Sequence, residues 1–499
     1  MRKRRLIYNT VTSLLNQIVA VICGFILPRL ILNYFGSEVN GLTNSIQQFL
    51  HIIAFLDLGV GAVVKSSLYK PLAERNNHEI SAIIKSARKF FDRLAKILLI
   101  YVCALMVLYP LIISKKYGYI YVVTLILAIS ISIFAQYYFG IVNQLLLVAD
   151  QRGYIQYGIQ MATTVLNTIA CAVLIKLGAS IQVVMLTTSL IFLLRPIYTT
   201  LYINKNYLID KNVVYEKEPI KQKWNGVAQH IAAVVLDGTD TIVLTILATL
   251  SDVSVYSVYY LVIKGIRNLY ISLTNGIQSL LGNLLAREET DKLNTTFGLV
   301  EWGMHSVTML LFGCTLYLIV PFVQVYTCGV TDVDYYQPVF AILLTIANET
   351  YCIKIPQNML ILAAGHYKQT QRCFVVSAII NIAISVFAVS KWGLIGVTIG
   401  TIIAMFYQAI WMIRYCRNNI IKWPLCITLK QIAVDIIINI VVLLCWNYWK
   451  FELTKDTYFS WGILAVKIFI VWVIVMITVN MIVYRNNITK MIILLKGRG

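Results

Sequence analysis

The chain has 499 residues, 59% of them hydrophobic and only 13% charged, against about a quarter charged in soluble proteins; a water-soluble fold has no interior large enough for that apolar surface. Net charge is +20, but the basic residues lie between apolar runs and not on one face, which argues against a nucleic-acid partner and points to orientation in a bilayer. The ten cysteines are scattered without a CxxC pair, so neither a zinc site nor a disulfide framework is indicated.

Fourteen apolar runs lie near residues 8–33, 41–66, 94–113, 119–147, 156–177, 181–203, 227–250, 254–284, 298–320, 338–362, 372–391, 394–415, 430–450 and 460–484. Each approaches the ~20 residues needed to cross the hydrocarbon core as a helix. The fold class is therefore an all-α polytopic membrane protein with about 14 transmembrane helices. The first run follows Arg2, Lys3, Arg4 and Arg5 and continues without a small-residue cleavage site, so it is expected to be an uncleaved first span. With that end inside, the inner connections hold roughly four times the Lys and Arg of the outer ones, which predicts cytoplasmic termini. The outer connections are short, leaving no room for an external catalytic domain. After the second span, HEISAIIKSARKFFDRLAKI places Ile80, Ile83, Ile84, Ala87, Phe91 and Leu94 on one helical face with basic residues opposite. This pattern is expected of a helix lying on the inner, anionic leaflet, the alternative being a loop helix packed on protein.

The chain repeats itself. ADQRGYIQ from Ala149 precedes a span containing Asn167, and AAGHYKQTQ from Ala363 precedes one containing Asn381, an offset of 214 residues. Ser37-Glu38-Val39 and Ser251-Asp252-Val253 are separated by the same 214. An even number of spans separates the copies, so they keep one orientation, as in transporters built from two parallel repeats. The expected organisation is an N-terminal six-helix bundle over 1–205, a cytoplasmic linker over 206–226, a C-terminal six-helix bundle over 227–416, and a final helix pair with a cytoplasmic tail over 417–499.

Charges at span depth cost several kcal/mol unless they pair or face water, so they are the candidate functional residues. Asp237 and Asp240 lie midway along the seventh span, and Lys264 and Arg267 at similar depth in the eighth, each pair spaced i, i+3 on one helical face. The eighth span extends this face as a polar stripe through Tyr260, Thr274 and Gln278. Glu349 and Lys354 fall in the tenth span, five residues apart and pointing in different directions, so they require different partners. Arg29 lies near the outer end of the first span beside Pro28, and Asp57, Arg195 and Lys467 lie in others. A cavity lined by Arg29, Lys264, Arg267 and Lys354 suits an anionic cargo such as a phosphate or pyrophosphate. Asp57, Asp237, Asp240 and Glu349 are candidates for charge pairing or for coupling to a proton or sodium ion; static salt bridges between helices are the alternative.

Catalytic, metal and cofactor signals are absent: the five histidines form no HExxH, and there is no GxSxG elbow and no Walker A loop. Energy is then expected from an ion gradient, the membrane potential or the cargo's own gradient.

The stretch GFILPRLILNYFGSEVNGLTNSIQQFLHIIAFLDLGVGAVVKSSLYKPLAE, with Pro28-Arg29, Phe35-Gly36 and Asp57-Leu58-Gly59, resembles the N-terminal signature of the polysaccharide-unit flippases, and LAAGHYKQTQ from Leu362 resembles that family's second-half turn. The family belongs to the superfamily of multidrug extruders, lipid II flippases and oligosaccharide-lipid exporters. The resemblance implies a flippase of the bacterial plasma membrane that turns undecaprenyl-pyrophosphate-linked oligosaccharides from the inner to the outer leaflet for capsule, O-antigen or other cell-wall polymers. It also implies pathway partners such as a polysaccharide polymerase and glycosyltransferases, and places Arg29 in a cationic cavity receiving the pyrophosphate. The lipid II flippases carry several arginines on their first two spans, whereas here the second span offers only Asp57 and, at its inner end, Lys65. A drug or ion antiporter of the same superfamily is the first alternative; a membrane glycosyltransferase or polymerase would need the external loop this chain lacks.

Overall fold

The computed structural model describes residues 2–52, 60–113, 117–210, 212–215, 218–220, 227–274, 277–421, 424–449 and 452–489. Its elements in order are α1 (Arg2–His51), α2 (Val60–Glu74), α3 (Asn77–Ile113), α4 (Tyr119–Ala135), a π-turn (Gln136–Gly140), α5 (Ile141–Ala149), α6 (Gly153–Lys176), α7 (Ile181–Asn206), α8 (Val227–Leu247), α9 (Leu250–Leu273), α10 (Ile277–Ala286), α11 (Thr290–Tyr326), α12 (Pro338–Ile353), α13 (Ile355–Ala363), α14 (Tyr367–Asn419), α15 (Leu425–Trp449) and α16 (Tyr458–Val483). Among the described residues ten helical stretches are long and apolar enough to cross a membrane. Two of them are hairpins, because α1 turns at Gly36 and α14 at Gly393, both in positive-φ conformations that favour glycine. With α8 and α9 added, fourteen helices result, and the protein is an all-α, multi-pass membrane protein.

The side-chain distribution is that of a chain solvated by lipid. Large apolar side chains face outward, among them Ile100 at 70% and Ile482 at 77% exposure, while Asn40, Ser45, Thr345, Asn381 and Gln408 are buried. Hydrocarbon solvates Ile as well as a protein interior does, so helix contacts form where small residues allow close approach and polar groups find partners.

Two compact units are present, Met1–Ser254 and Val255–Gly499. In the first, Leu42, Ile46, Leu98, Val102, Tyr109, Leu125 and Val184 form one core. The second half of α1 meets α8 and the start of α9 through a polar seam. Asn40 donates to Ser254 Oγ at 2.7 Å, Ser45 and Thr245 share a 2.7 Å bond, and a Cβ on Gly238 would lie 2.1 Å from the Gln48 amide. Asn40 and Ser254 are themselves 214 residues apart, so equivalent positions of the repeat touch.

The repeat is written into the backbone as well. The turn after α5 holds Gln151 at φ 58° and the turn after α13 holds Gly365 at φ 75°, again 214 apart. In the first, Arg152 N–H bonds to Leu147 C=O (2.8 Å); in the second, His366 N–H bonds to Ile361 C=O (3.1 Å), the same closure one repeat later. Both mid-span irregularities coincide too: the π-turn ends at Gly140, and the break between α12 and α13 falls at Lys354.

The structure corrects two expectations. The amphipathic segment from His78 is the first half of α3 and runs unbroken into the third span. Its apolar face does not lie on a leaflet: Ile80, Ile83, Ile84, Ala87, Phe91 and Leu94 are buried against Val60, Val64 and Leu68 of α2, Leu146 and Leu147 of α5, and Ile203 and Ile220. The eighth span, expected as one run over 254–284, ends as α9 at Leu273 and resumes as α10 at Ile277.

In the second unit the final pair packs on α11. Val434, Ile438, Val442, Leu464, Ile468 and Trp472 form a core with Trp302 and Met309. Trp472 is fully buried, and a Cβ on Gly313 would lie 2.3 Å from its ring, so the glycine makes the notch that the indole fills. Trp302 Nε1 donates to Asn480 Oδ1 at 2.7 Å and Trp461 Nε1 to Leu318 C=O at 3.2 Å, which fixes α16 antiparallel to α11 at both ends.

Candidate functional site

Helix-breaking at Lys354 creates the most unusual charged position of the second unit. Pro356 opens α13 at its first turn, where a missing N–H costs nothing, and the chain bends so that Lys354 turns toward the second half of α14. Its side chain is 5% exposed. The ammonium donates to Gln408 Oε1, lies 3.5 Å from Met405 Sδ, and sits 4.7 Å from the Tyr351 ring centroid. Gln408 passes the network on by donating to Ser377 Oγ, which donates to Cys373 C=O at 2.9 Å. Among the described residues each of these partners is neutral. A buried amine held by an amide oxygen, a thioether and an aromatic face has no countercharge among these partners.

Arg267 joins it through the same ring. Its guanidinium is 5.0 Å from the Tyr351 centroid and 5.7 Å from that of Tyr260, so Tyr351 carries a cation from α9 and a cation from the α12–α13 break. The α9–α12 contact that places them is set by Tyr259, whose hydroxyl donates to Tyr335 C=O at 2.7 Å, and by Tyr270, which donates to Cys352 C=O at 2.9 Å. Lys264, one turn before Arg267, has an exposed side chain. Of the four expected anion-binding residues, the structure thus brings Arg267 and Lys354 to one aromatic ring and leaves Lys264 outward. Arg29 belongs to the first unit, half-buried beside Pro28 inside α1.

Of the acidic candidates, Asp237 and Asp240 lie on α8 in the first unit, Asp240 buried and Asp237 exposed. Asp57 lies outside the described residues. Glu349 is half-buried on α12 and is electrostatically coupled to Asp435 and His305. As its five-residue spacing requires, it faces a different environment from Lys354.

That environment holds the residues sequence reasoning missed. Glu301 Oε1 accepts from Gln357 Nε2 (2.9 Å) and Thr428 Oγ1 (3.0 Å), and His305 Nδ1 lies 2.7 Å from Asp435 Oδ2. Glu301, His305 and Asp435 are all under 5% exposed. Thr428, Gln431 and Asp435 recur at helical spacing on α15, and that recurrence inside an apolar span was the available signal.

The first unit carries a different charged feature. Lys85, Arg88, Lys89, Arg93 and Lys96 of α3 line an open groove of about 740 Å³ together with Asp92, Asp210 and Val213. Lys85 donates to Val213 C=O at 2.9 Å and the Asp210 N–H to Ser81 Oγ at 3.0 Å, holding the segment after α7 against α3. Arg195 is bound within the bundle by Thr163 (2.8 Å) and Thr164 (3.0 Å) of α6 and lies over the Phe192 ring.

No protein-family model matches the sequence, and neither does any curated protein. Solved structures do match. The lipid II flippase MurJ in an inward closed conformation superposes with a TM-score of 0.73 at 15% identity, over 97% of this chain and 100% of that one. The MATE multidrug transporter DinF-BH in complex with rhodamine 6G gives 0.62 at 14% identity, over 83% and 95%. An inward-facing MATE transporter of the MOP superfamily gives 0.58 at 15% identity, over 80% and 94%. The chain therefore has the fold of the MOP-superfamily transporters along nearly its whole length.

Proposed function

We propose that this protein is a MOP-superfamily transporter of the flippase type, which turns polyprenyl-pyrophosphate-linked oligosaccharides across a bacterial plasma membrane by alternating access, with both termini in the cytoplasm. The observation that carries the cargo class is the pair of cations on Tyr351. Lys354 is desolvated and, among the described residues, hydrogen-bonded to neutral groups, and Arg267 shares the Tyr351 ring. A cationic cargo would be repelled there, whereas a pyrophosphate supplies the countercharge, as oxygen acceptors for the guanidinium fork and as a point-charge partner for the ammonium. The similarity to the lipid II flippase, which covers that protein's entire length, supports the same reading. Lys264 and Arg29 are proposed as further anion-binding residues. Asp57, Asp237, Asp240 and Glu349 are proposed for ion coupling or charge pairing, and a polymerase and glycosyltransferases as pathway partners.

The second reading is an ion-coupled multidrug antiporter, favoured by the likeness to a MATE transporter solved with rhodamine 6G. Binding separates the two. Protein in nanodiscs should bind a polyprenyl-pyrophosphate oligosaccharide at least about tenfold more tightly than the unphosphorylated polyprenol, and Arg267→Gln should remove most of that margin, since a hydrogen bond to a charged group contributes about 1.5–3 kcal/mol. Equal affinity for the two lipids together with tight binding of rhodamine 6G would move the protein to the antiporters.

A further inference from the structure

We propose that His305 of α11 and Asp435 of α15 form a proton-binding site that ties the final helix pair to its unit in a pH-dependent way. The site lies away from the Tyr351 cations, and nothing in it depends on the identity of the cargo.

The geometry leaves one atom open. His305 is 1% exposed; its Nδ1 is 2.7 Å from Asp435 Oδ2, and the other Asp435 oxygen accepts from Gln431 Nε2 at 3.2 Å. With Nδ1–H donating to the carboxylate, Nε2 presents a lone pair, and this buried nitrogen has no hydrogen-bond partner among the described residues. Buried polar atoms are almost always satisfied, and an unsatisfied imidazole nitrogen beside a carboxylate is a vacant proton acceptor. Proton uptake at Nε2 makes an imidazolium, and the His305–Asp435 bond changes from one with a neutral donor to an ion pair. No bond other than N–H forms or breaks.

The charged and titratable groups around it come from every neighbouring element. Glu301 lies one turn earlier on α11, held by Gln357 of α13 and Thr428 of α15. Glu349 of α12 is coupled to both His305 and Asp435. Tyr484, just beyond α16, feels Asp435 and Glu301, and Cys416 of α14 feels Glu301. Lys430 of α15 lies over the Tyr484 ring at 5.0 Å. Of these carboxyls, that of Asp435 is in hydrogen-bond contact with the imidazole. The ligand is a proton and not a metal ion: sodium and calcium sites are built from oxygens, an imidazolium would repel a metal cation, and no group of acidic, His and Cys side chains among the described residues fits a metal.

The consequence follows from where Asp435 sits. α15 reaches α11 through Thr428–Glu301 and Asp435–His305, in the same order along both helices. Of these two contacts, the second changes strength when His305 gains a proton, because charge-assisted hydrogen bonds are roughly twice as strong as neutral ones. The pair is clamped more firmly at low pH.

The test needs no cargo. In nanodisc-embedded full-length protein with ¹⁵N-labelled histidine, the His305 signal, identified by its loss in His305→Gln, should titrate between pH 4 and 10. Its midpoint should fall by about one unit or more in Asp435→Asn, which removes the adjacent negative charge. Should Asp435→Asn fail to fold, Glu349→Gln leaves the hydrogen-bonded pair intact and should lower the midpoint by a smaller amount. A His305 signal that does not titrate over that range, or a midpoint unmoved in the variant measured, overturns the proposal. Thermal stability gives the second readout: the wild type should gain stability over His305→Gln as pH falls through the midpoint and lose that margin above it. A margin independent of pH would also overturn it.

Discussion

Lys354→Met should lower the initial rate of pyrophosphate-lipid translocation by about one to two orders of magnitude while expression, insertion and thermal stability stay close to wild type. Methionine keeps the length and apolar stem of the side chain, so the packing against Met405 and Tyr351 survives and only the ammonium is lost. The size of the effect is that of one charged hydrogen bond, about 1.5–3 kcal/mol, in a site too dry for water to replace it. Gln408 loses one partner but keeps Ser377. A translocation rate within a factor of two of wild type at equal protein would make Lys354 a packing residue. Lys354→Arg is expected to fail as well, because the larger guanidinium has to enter a position already 5% exposed.

Trp472 and Gly313 give the largest expected change in stability. Trp472→Ala empties a fully enclosed site and should cost about 3–5 kcal/mol, by analogy with other large-to-small core changes. Gly313→Leu forces atoms into the 2.3 Å gap beneath the indole and should cost about 1–3 kcal/mol. Since the two changes compete for one volume, the double variant should be more stable than the sum of the two by about 1 kcal/mol or more. Denaturation in mixed micelles measures all three, and strict additivity would show that the notch and the indole are unconnected.

The legibility of this chain differs by level. The fourteen helices were open to sequence reading because lipid imposes one requirement, about 20 apolar residues per crossing. The repeat was open because Ala149 and Ala363, Asn167 and Asn381, and the Ser37 and Ser251 triplets recur at one offset of 214. The cost of burying charge likewise pointed to Arg267 and Lys354 before their shared Tyr351 was visible. Three things were not legible. A surface-lying helix and a packed one carry the same pattern, so Ile80 to Leu94 gave no means of deciding between leaflet and protein. α9 is described to Leu273 and α10 from Ile277, and the sequence between them holds no proline and a single glycine. His305 and Asp435 lie 130 residues apart, in spans whose hydrophobicity hides single polar residues, and no spacing rule joins them.

Two kinds of polar group lie in different parts of the second unit. Cations gather where α12 breaks at Lys354, while acids and the imidazole gather where α11 meets the final pair.

Leaflet translocation in proteoliposomes tests the anionic lipid cargo most directly. A fluorescent polyprenyl-pyrophosphate oligosaccharide and rhodamine 6G are offered in parallel without ATP, at equal protein. The lipid-linked glycan is expected to cross at a rate that depends on Lys354 and Arg267, and the dye is expected not to cross. Movement of the dye with no movement of the glycan would contradict the proposed cargo.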